Sequence, residues 1–287
     1  MPLATARHLA AIRKMAGVRP TRTRKTVPRA PYPRLVERDY AEELKEVTSR
    51  AIRVSLAPLL RALPELLDSA KRSRVDTVEN RMDAGEGRRA RELVAQARRR
   101  IEQLIPMNRL ESLGRKFAEQ TSTVQRMGFR RQVRSVLGID LTLGDRGMRA
   151  RIENFTSENV ALIESLGRRL HDSVEQIVTR AVVEGRLHGD VAAEIEGRFG
   201  VTERHAELIA RDQIGKLYGQ INADRQQSLG VTQFVWRTVG DERVREEHQA
   251  LEGQTFSYAD PPSEGLPGTP IQCRCSAEPV LADLLGI

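Results

Sequence analysis

From Val36 to Leu229 the apolar residues of this 287-residue chain recur every three or four positions, which commits most of it to helices with one buried face each. Val36, Tyr40, Leu44, Val47, Ala51 and Val54 form the first such face. Val75, Val78, Met82, Leu93, Ala97, Ile101 and Leu104 form a second, Arg-rich and interrupted near Gly85 and Gly87. Leu110, Leu113, Phe117, Val124 and Met127 form a third. Pro58 and Pro64 are expected to kink or divide the first helix, and Pro106 to end the second. Gly138 to Gly147 breaks the pattern, with Ile139 to Leu143 reading as a short strand or a loop. A long helix is expected over 157–185, capped by Thr156 or Ser157, with Ile163, Leu166, Leu170, Val174, Ile177 and Ala181 on its inner face. A shorter helix follows around Val191 to Phe199, and another runs from Thr202 to Leu229, where Gly230 stops it.

Beyond Gly230 the period changes. Val231 to Thr238 is β-branched and aromatic and reads as a strand. Arg243 to Leu251 reads as a short helix stopped by Gly253, and Thr255-Phe256 and Gln272 to Val280 as further strands. Pro261, Pro262, Pro267 and Pro270 keep Ser257 to Ile271 irregular. The expected fold is mainly α: an elongated helical body with a small C-terminal α+β module and a disordered or extended basic N-terminal arm. The expected divisions are an arm at 1–34, helical domains at 35–137 and 148–229, and the α+β module at 230–287.

Charge is distributed unevenly. Arg7, Arg13, Lys14, Arg19, Arg22, Arg24, Lys25, Arg29 and Arg34 precede the first acid, Glu37, whereas the remaining 38 basic residues face 39 acidic ones. The formal charge of +8 therefore belongs to the arm. Such a segment has too little apolar surface to fold alone and suits a polyanion or an acidic protein groove. A solubilising tail and an organelle presequence are the alternatives, the second opposed by Pro20, Pro28, Pro31 and Pro33. Arg88, Arg89, Arg91, Arg98, Arg99 and Arg100 make a second basic cluster, read first as a solvated face with Glu86, Glu92 and Glu102. No apolar run approaches membrane-spanning length. With aromatics at only 4%, a base-stacking platform is not expected.

Both cysteines, the single tryptophan and His248 fall in the last quarter of the chain. Cys273 and Cys275, two apart, do not make a secreted disulfide framework, and a bridge between them would close a strained ring. With His248 they offer three ligands of the right softness for zinc; Asp241, just ahead of the His248 helix, is the first candidate for a fourth, and a water the second. A structural zinc suits a short, Pro-rich module with little apolar material. A metal-free packing of the same residues is the equal alternative. Asp241, Glu242, Glu246, Glu247 and His248 read as a solvated acidic helix start rather than an acid/base cluster, and Trp236 as a core anchor rather than a base-stacking residue. Arg211 and Asp212 suit an ion pair or a cap, and His171, His188 and His205 lie on polar helix faces. No phosphate-binding loop or H-E-x-x-H is present.

These residues also carry a resemblance. Ala210-Arg211-Asp212-Gln213, Gly230, Trp236, Asp241 to Arg245, His248, Leu251-Glu252-Gly253, Pro267-Gly268 and Cys273-Arg274-Cys275 resemble, in order and spacing, the signature of the phage Mu protein F-like minor head proteins, the phage head morphogenesis family. Phe155 to Ile163 match more weakly. Some relatives carry C-x-x-C where this chain has Arg245-Glu246-Glu247-His248, which leaves one metal ligand unassigned. The resemblance implies a minor capsid protein of a tailed-phage head, located in the virion, acting in head assembly and in genome packaging or delivery. The implied partners are the portal protein, the major capsid protein and double-stranded DNA, with no membrane and no catalytic residue. The rival reading is a metal-dependent hydrolase or transferase acting inside the head or after injection.

Overall fold

Among the described residues, 27–76, 84–105, 107–138 and 147–281, the computed structural model contains six helices and one three-stranded sheet. The helices are α1 (Arg34–Asp76), α2 (Ala84–Leu104), α3 (Met107–Leu137), α4 (Met148–Glu184), α5 (His188–Ser228) and the short α6 (Glu246–Ala250). The strands are β1 (Gln233–Arg237), β2 (Thr255–Ser257) and β3 (Ser276–Pro279), ordered β2-β1-β3 and antiparallel throughout. The mainly α architecture with a small α+β module is as expected. Arg7, Arg13, Lys14, Arg19, Arg22, Arg24 and Lys25 lie outside the described residues, as does the strand or loop expected at 139–143.

The helices run longer than their local signals imply. Pro58 and Pro64 lie inside α1 and do not divide it. Each interior proline costs about 3 kcal/mol. Leu56, Leu59, Leu63, Leu66 and Leu67 are all buried along the same stretch, and each contributes about 2 kcal/mol, so the face wins. α4 begins nine residues before the expected cap; the Thr156 hydroxyl donates to the Ile152 carbonyl at 2.7 Å within the helix instead of capping it. α5 is one helix where two were expected. Thr202 likewise donates back to Arg198, and the buried face passes from Val191 and Ile195 to Ala206, Ala210 and Ile214 without a gap. Val54 and Met127, expected on inner faces, are exposed, and Ile52 is buried instead.

Compact units also differ from the expected divisions at 35–137, 148–229 and 230–287. One unit takes residues up to 38, 115–156 and 211 onward; the other takes 39–114 and 157–210. The breakpoints fall inside α1, α3, α4 and α5, because helices of 31 to 43 residues contribute to more than one core. The second unit is helical, with a core of leucines from α1 joined by Val94, Leu170, Val174, Ile177, Val178 and Ile195. Its buried Tyr40 hydroxyl donates to Asn159 Oδ1 at 2.7 Å.

The first unit holds the sheet. Phe234 and Trp236 alternate inward on β1 and are fully buried, as the period of two requires. α5 grips β3 through main-chain bonds: Asn222 and Gln226 both donate to the Ala277 carbonyl, at 2.7 and 2.8 Å. Tyr258 donates to Gln226 and Gln125 to Asn222, so this buried polar patch is well paired. The end of the arm is fixed here too. Residues 27–33 carry no regular secondary structure, Gln132 donates to the Pro28 carbonyl at 2.9 Å, and Arg131 donates to that of Arg29 at 3.1 Å. Tyr32 meets Tyr218 edge to face at 5.8 Å.

Candidate metal centre

Three buried side chains converge in the first unit. His248 comes from α6; Cys273 and Cys275 come from the loop that leads into β3. His248 Nδ1 lies 3.5 Å from the Cys273 Sγ and 3.6 Å from the Cys275 Sγ, and all three ligand atoms lie within 4.8 Å of one another. Trp236 walls the imidazole, edge to face at 5.3 Å. Both cysteines are free thiols, so no strained bridge forms.

The arrangement fits a metal. Zinc bonds of about 2.3 Å to sulfur and about 2.05 Å to nitrogen, at a tetrahedral angle, put nitrogen about 3.6 Å from each sulfur. Without a metal, two thiols compete for one ring nitrogen. The other nitrogen, Nε2, is buried without a hydrogen-bond partner and faces Glu264 Oε2 at 3.6 Å. A carboxylate on that side favours the tautomer with the proton on Nε2, which leaves the Nδ1 lone pair for a metal.

The cluster favours one thiolate even by itself. A hydrogen bond from the Cys275 thiol lowers the pKa of Cys273 to about 6 against the cost of burial, helped by the backbone N–H groups of Cys275 and Gly268 and by His248. The Cys275 thiol is pushed up by the same bond and by burial. A divalent ion would supply the charge that lets both sulfurs ionise.

The loop that carries the cysteines lies on a notch in α5. A Cβ on Gly215 would stand 2.6 Å from the Cys273 carbonyl oxygen, and one on Gly219 would stand 2.5 Å from that of Pro267. No side chain fits at either place. Asp212, one turn before Gly215, accepts the Gln272 N–H at 2.7 Å and holds that residue at φ +55, where a side chain is strained. Arg245 adds a bond to the Ile271 carbonyl. The Gly-Lys-Leu-Tyr-Gly spacing of 215–219 is the sequence signal for this notch, two small residues one turn apart on a helix.

Asp241 is not in the cluster. It pairs with Arg274 at 2.8 Å and accepts the Arg243 N–H, because the residue between the two cysteines points back across the turn toward it. Among the described residues the ligand group has three members. Trp236 is fully buried. Arg211 pairs with Glu37 at 3.2 Å, an ion pair rather than a catalytic contact. Arg29 bonds Glu252 at 3.0 Å. Glu252 also accepts the Thr238 N–H at 2.5 Å and contacts Arg237; although burial pulls the other way, these partners hold its carboxyl below its usual range. Arg34 is the first residue of α1.

Fold and cluster together define a helical protein that carries a three-stranded module built around a His/Cys/Cys group. Residues 172–278, from α4 to β3, match the family described as Phage Mu protein F like protein. That region of the chain is Phage Mu protein F-like, as the resemblance implied, and it contains all three cluster residues. A protein of Haemophilus influenzae (strain ATCC 51907 / DSM 11121 / KW20 / Rd), described as an uncharacterized protein, is 38% identical over 148 residues, covering 50% of this chain and 33% of that protein. The chain thus spans about a third of that relative's length. No solved structure matches the chain.

Proposed function

We propose that this chain is a minor structural protein of a tailed-phage head, docking at the portal vertex through its helices and meeting packaged double-stranded DNA through its basic arm. The observation that carries the reading is the coincidence of the Phage Mu protein F-like match with an intact His248, Cys273 and Cys275 group. Zinc is the proposed metal, held by those three side chains, with a water as the fourth ligand. When bound, it would tie α6 to the loop before β3.

The role is structural rather than catalytic. His248, Cys273 and Cys275 are 3%, 4% and 2% exposed, which leaves no approach for a substrate. Of the neighbouring carboxylates, Asp241 is taken by Arg274, Glu252 by Arg29, Arg237 and the Thr238 amide, and Glu264 faces Nε2 of His248 rather than the nitrogen beside the sulfurs. A hydrolytic site would need one of them free as a general base.

Purified heads from a producing strain provide the test. The chain should be present in few copies, and its cross-links should run to the portal protein. Absence from mature and immature heads alike, or cross-links confined to the shell far from the portal, would overturn the reading.

A further inference from the structure

The helical unit of residues 39–114 and 157–210 contains a cavity of about 300 Å³ that the proposed function does not use. Its well is apolar: Ile101 from α2, Ile105 just past the end of that helix, Leu110 from α3, and Ile163 from α4. Gly167 on α4 opens it. A Cβ there would meet only the Ile101 Cγ2, at 3.8 Å. Exposed charges of both signs, Arg98 and Arg168 with Glu102 and Glu164, ring the mouth.

His171 forms part of the wall. Periodicity places it on a polar face, but its side chain is only 9% exposed, and both ring nitrogens are buried without hydrogen-bond partners. The nearest carboxylate oxygens, on Asp172 and Glu175, stand at 3.6 and 4.0 Å from Nδ1, too far to satisfy it. The exposed part of the ring side is therefore carbon. A half-turn about Cβ–Cγ exchanges those carbons for the nitrogens and brings hydrogen-bonding atoms to the cavity wall. A bound polar group would stabilise that rotamer by pairing with one of the two orphaned nitrogens.

We propose that this cavity is a binding site for a neutral amphiphile, an apolar body of about ten non-hydrogen atoms carrying one hydroxyl group. The size follows from the volume, at about 30 Å³ for a water-sized group. Neutrality follows from the balanced rim, where either sign of ligand charge meets two like charges. The hydroxyl follows from the imidazole, which when neutral offers one donor and one acceptor, and a hydroxyl can answer either.

The experiment uses the full chain with 2-naphthol, naphthalene and 2-naphthoate as probes, read by ligand-observed NMR and by the thermal midpoint. 2-Naphthol should bind at least tenfold more tightly than naphthalene or 2-naphthoate. Gly167→Leu, which fills the well, should abolish binding. His171→Leu should reduce the 2-naphthol preference to less than threefold while raising the midpoint of the unliganded protein, since it removes an unsatisfied buried imidazole. Equal affinity for 2-naphthol and naphthalene in the wild-type chain would overturn the assignment to His171. Binding that survives Gly167→Leu, or no binding at 1 mM probe (about the weakest affinity worth the name,), would overturn the site itself.

Discussion

Cys273→Ser keeps the shape of the side chain and removes the thiolate, so it separates ligation from packing. The wild-type chain should carry about one zinc, measured by elemental analysis, and the variant close to none. Chelation should lower the melting midpoint of the wild type and leave the variant unmoved; equal profiles in both would dismiss the metal. Trp236→Ala should cost about 3–5 kcal/mol in urea unfolding, as a truncation of a fully buried aromatic side chain. A water-like fluorescence maximum in the wild type would contradict that. Trp236 was legible in the sequence because a lone tryptophan in a β-branched run has few places to go but inward. His248, Cys273 and Cys275 were legible as candidates by residue type. Asp241 misled because nearness in sequence to His248 hid its real partner, Arg274, which is 33 residues away. Asp212 was read as a pair or a cap; that it holds a strained loop residue 60 positions on depends on a tertiary contact that local pattern does not carry.

At the scale of elements, the helices were read from period and their ends from local chemistry, and only the first reading is robust. Thr156, Thr202 and the two prolines of α1 are local stop or start signals that a continuous buried face overrides. Gly230 is a true stop, at φ +92, because α5 has no further face to bury. The contact between α5 and the cysteine loop gives an element-scale prediction. Gly219→Ala improves the helix propensity of α5, yet its Cβ collides with the Pro267 carbonyl. Circular dichroism should therefore show unchanged or greater helicity, while competition with a chromogenic chelator should show zinc affinity reduced at least tenfold. Retained affinity would mean that the loop can lift off α5 without disturbing its ligands.

For the whole molecule, the division of labour is between a folded body and the charges that precede it. Arg29 is committed to Glu252, so eight of the nine arm charges remain for a polyanion, seven of them before Pro28. If four to six of the charges of the chain meet phosphates, nonspecific binding to duplex DNA should fall with salt at a log–log slope of about −4 to −5. Deleting residues 1–26 should remove most of that slope and leave the thermal midpoint of the body unchanged, because the anchoring bonds among the described residues, from Pro28 onward, stay in place. A slope that persists after deletion would move DNA contact to the body, with the arginines of α2 as the next candidates. Entry into heads should survive the deletion if docking uses the helices; failure to enter, with DNA binding intact, would make the arm a protein-docking peptide. Since the chain is pinned from Pro28 to Tyr32, everything before it is tethered to one fixed point on the molecule. Arg7 lies 21 residues before Pro28, so its charge can reach no farther than about 75 Å from that point even at full extension. Any phosphate met by the charges from Arg7 to Lys25 must lie inside that radius, which makes the anchor a ruler for how far from DNA the folded part can sit.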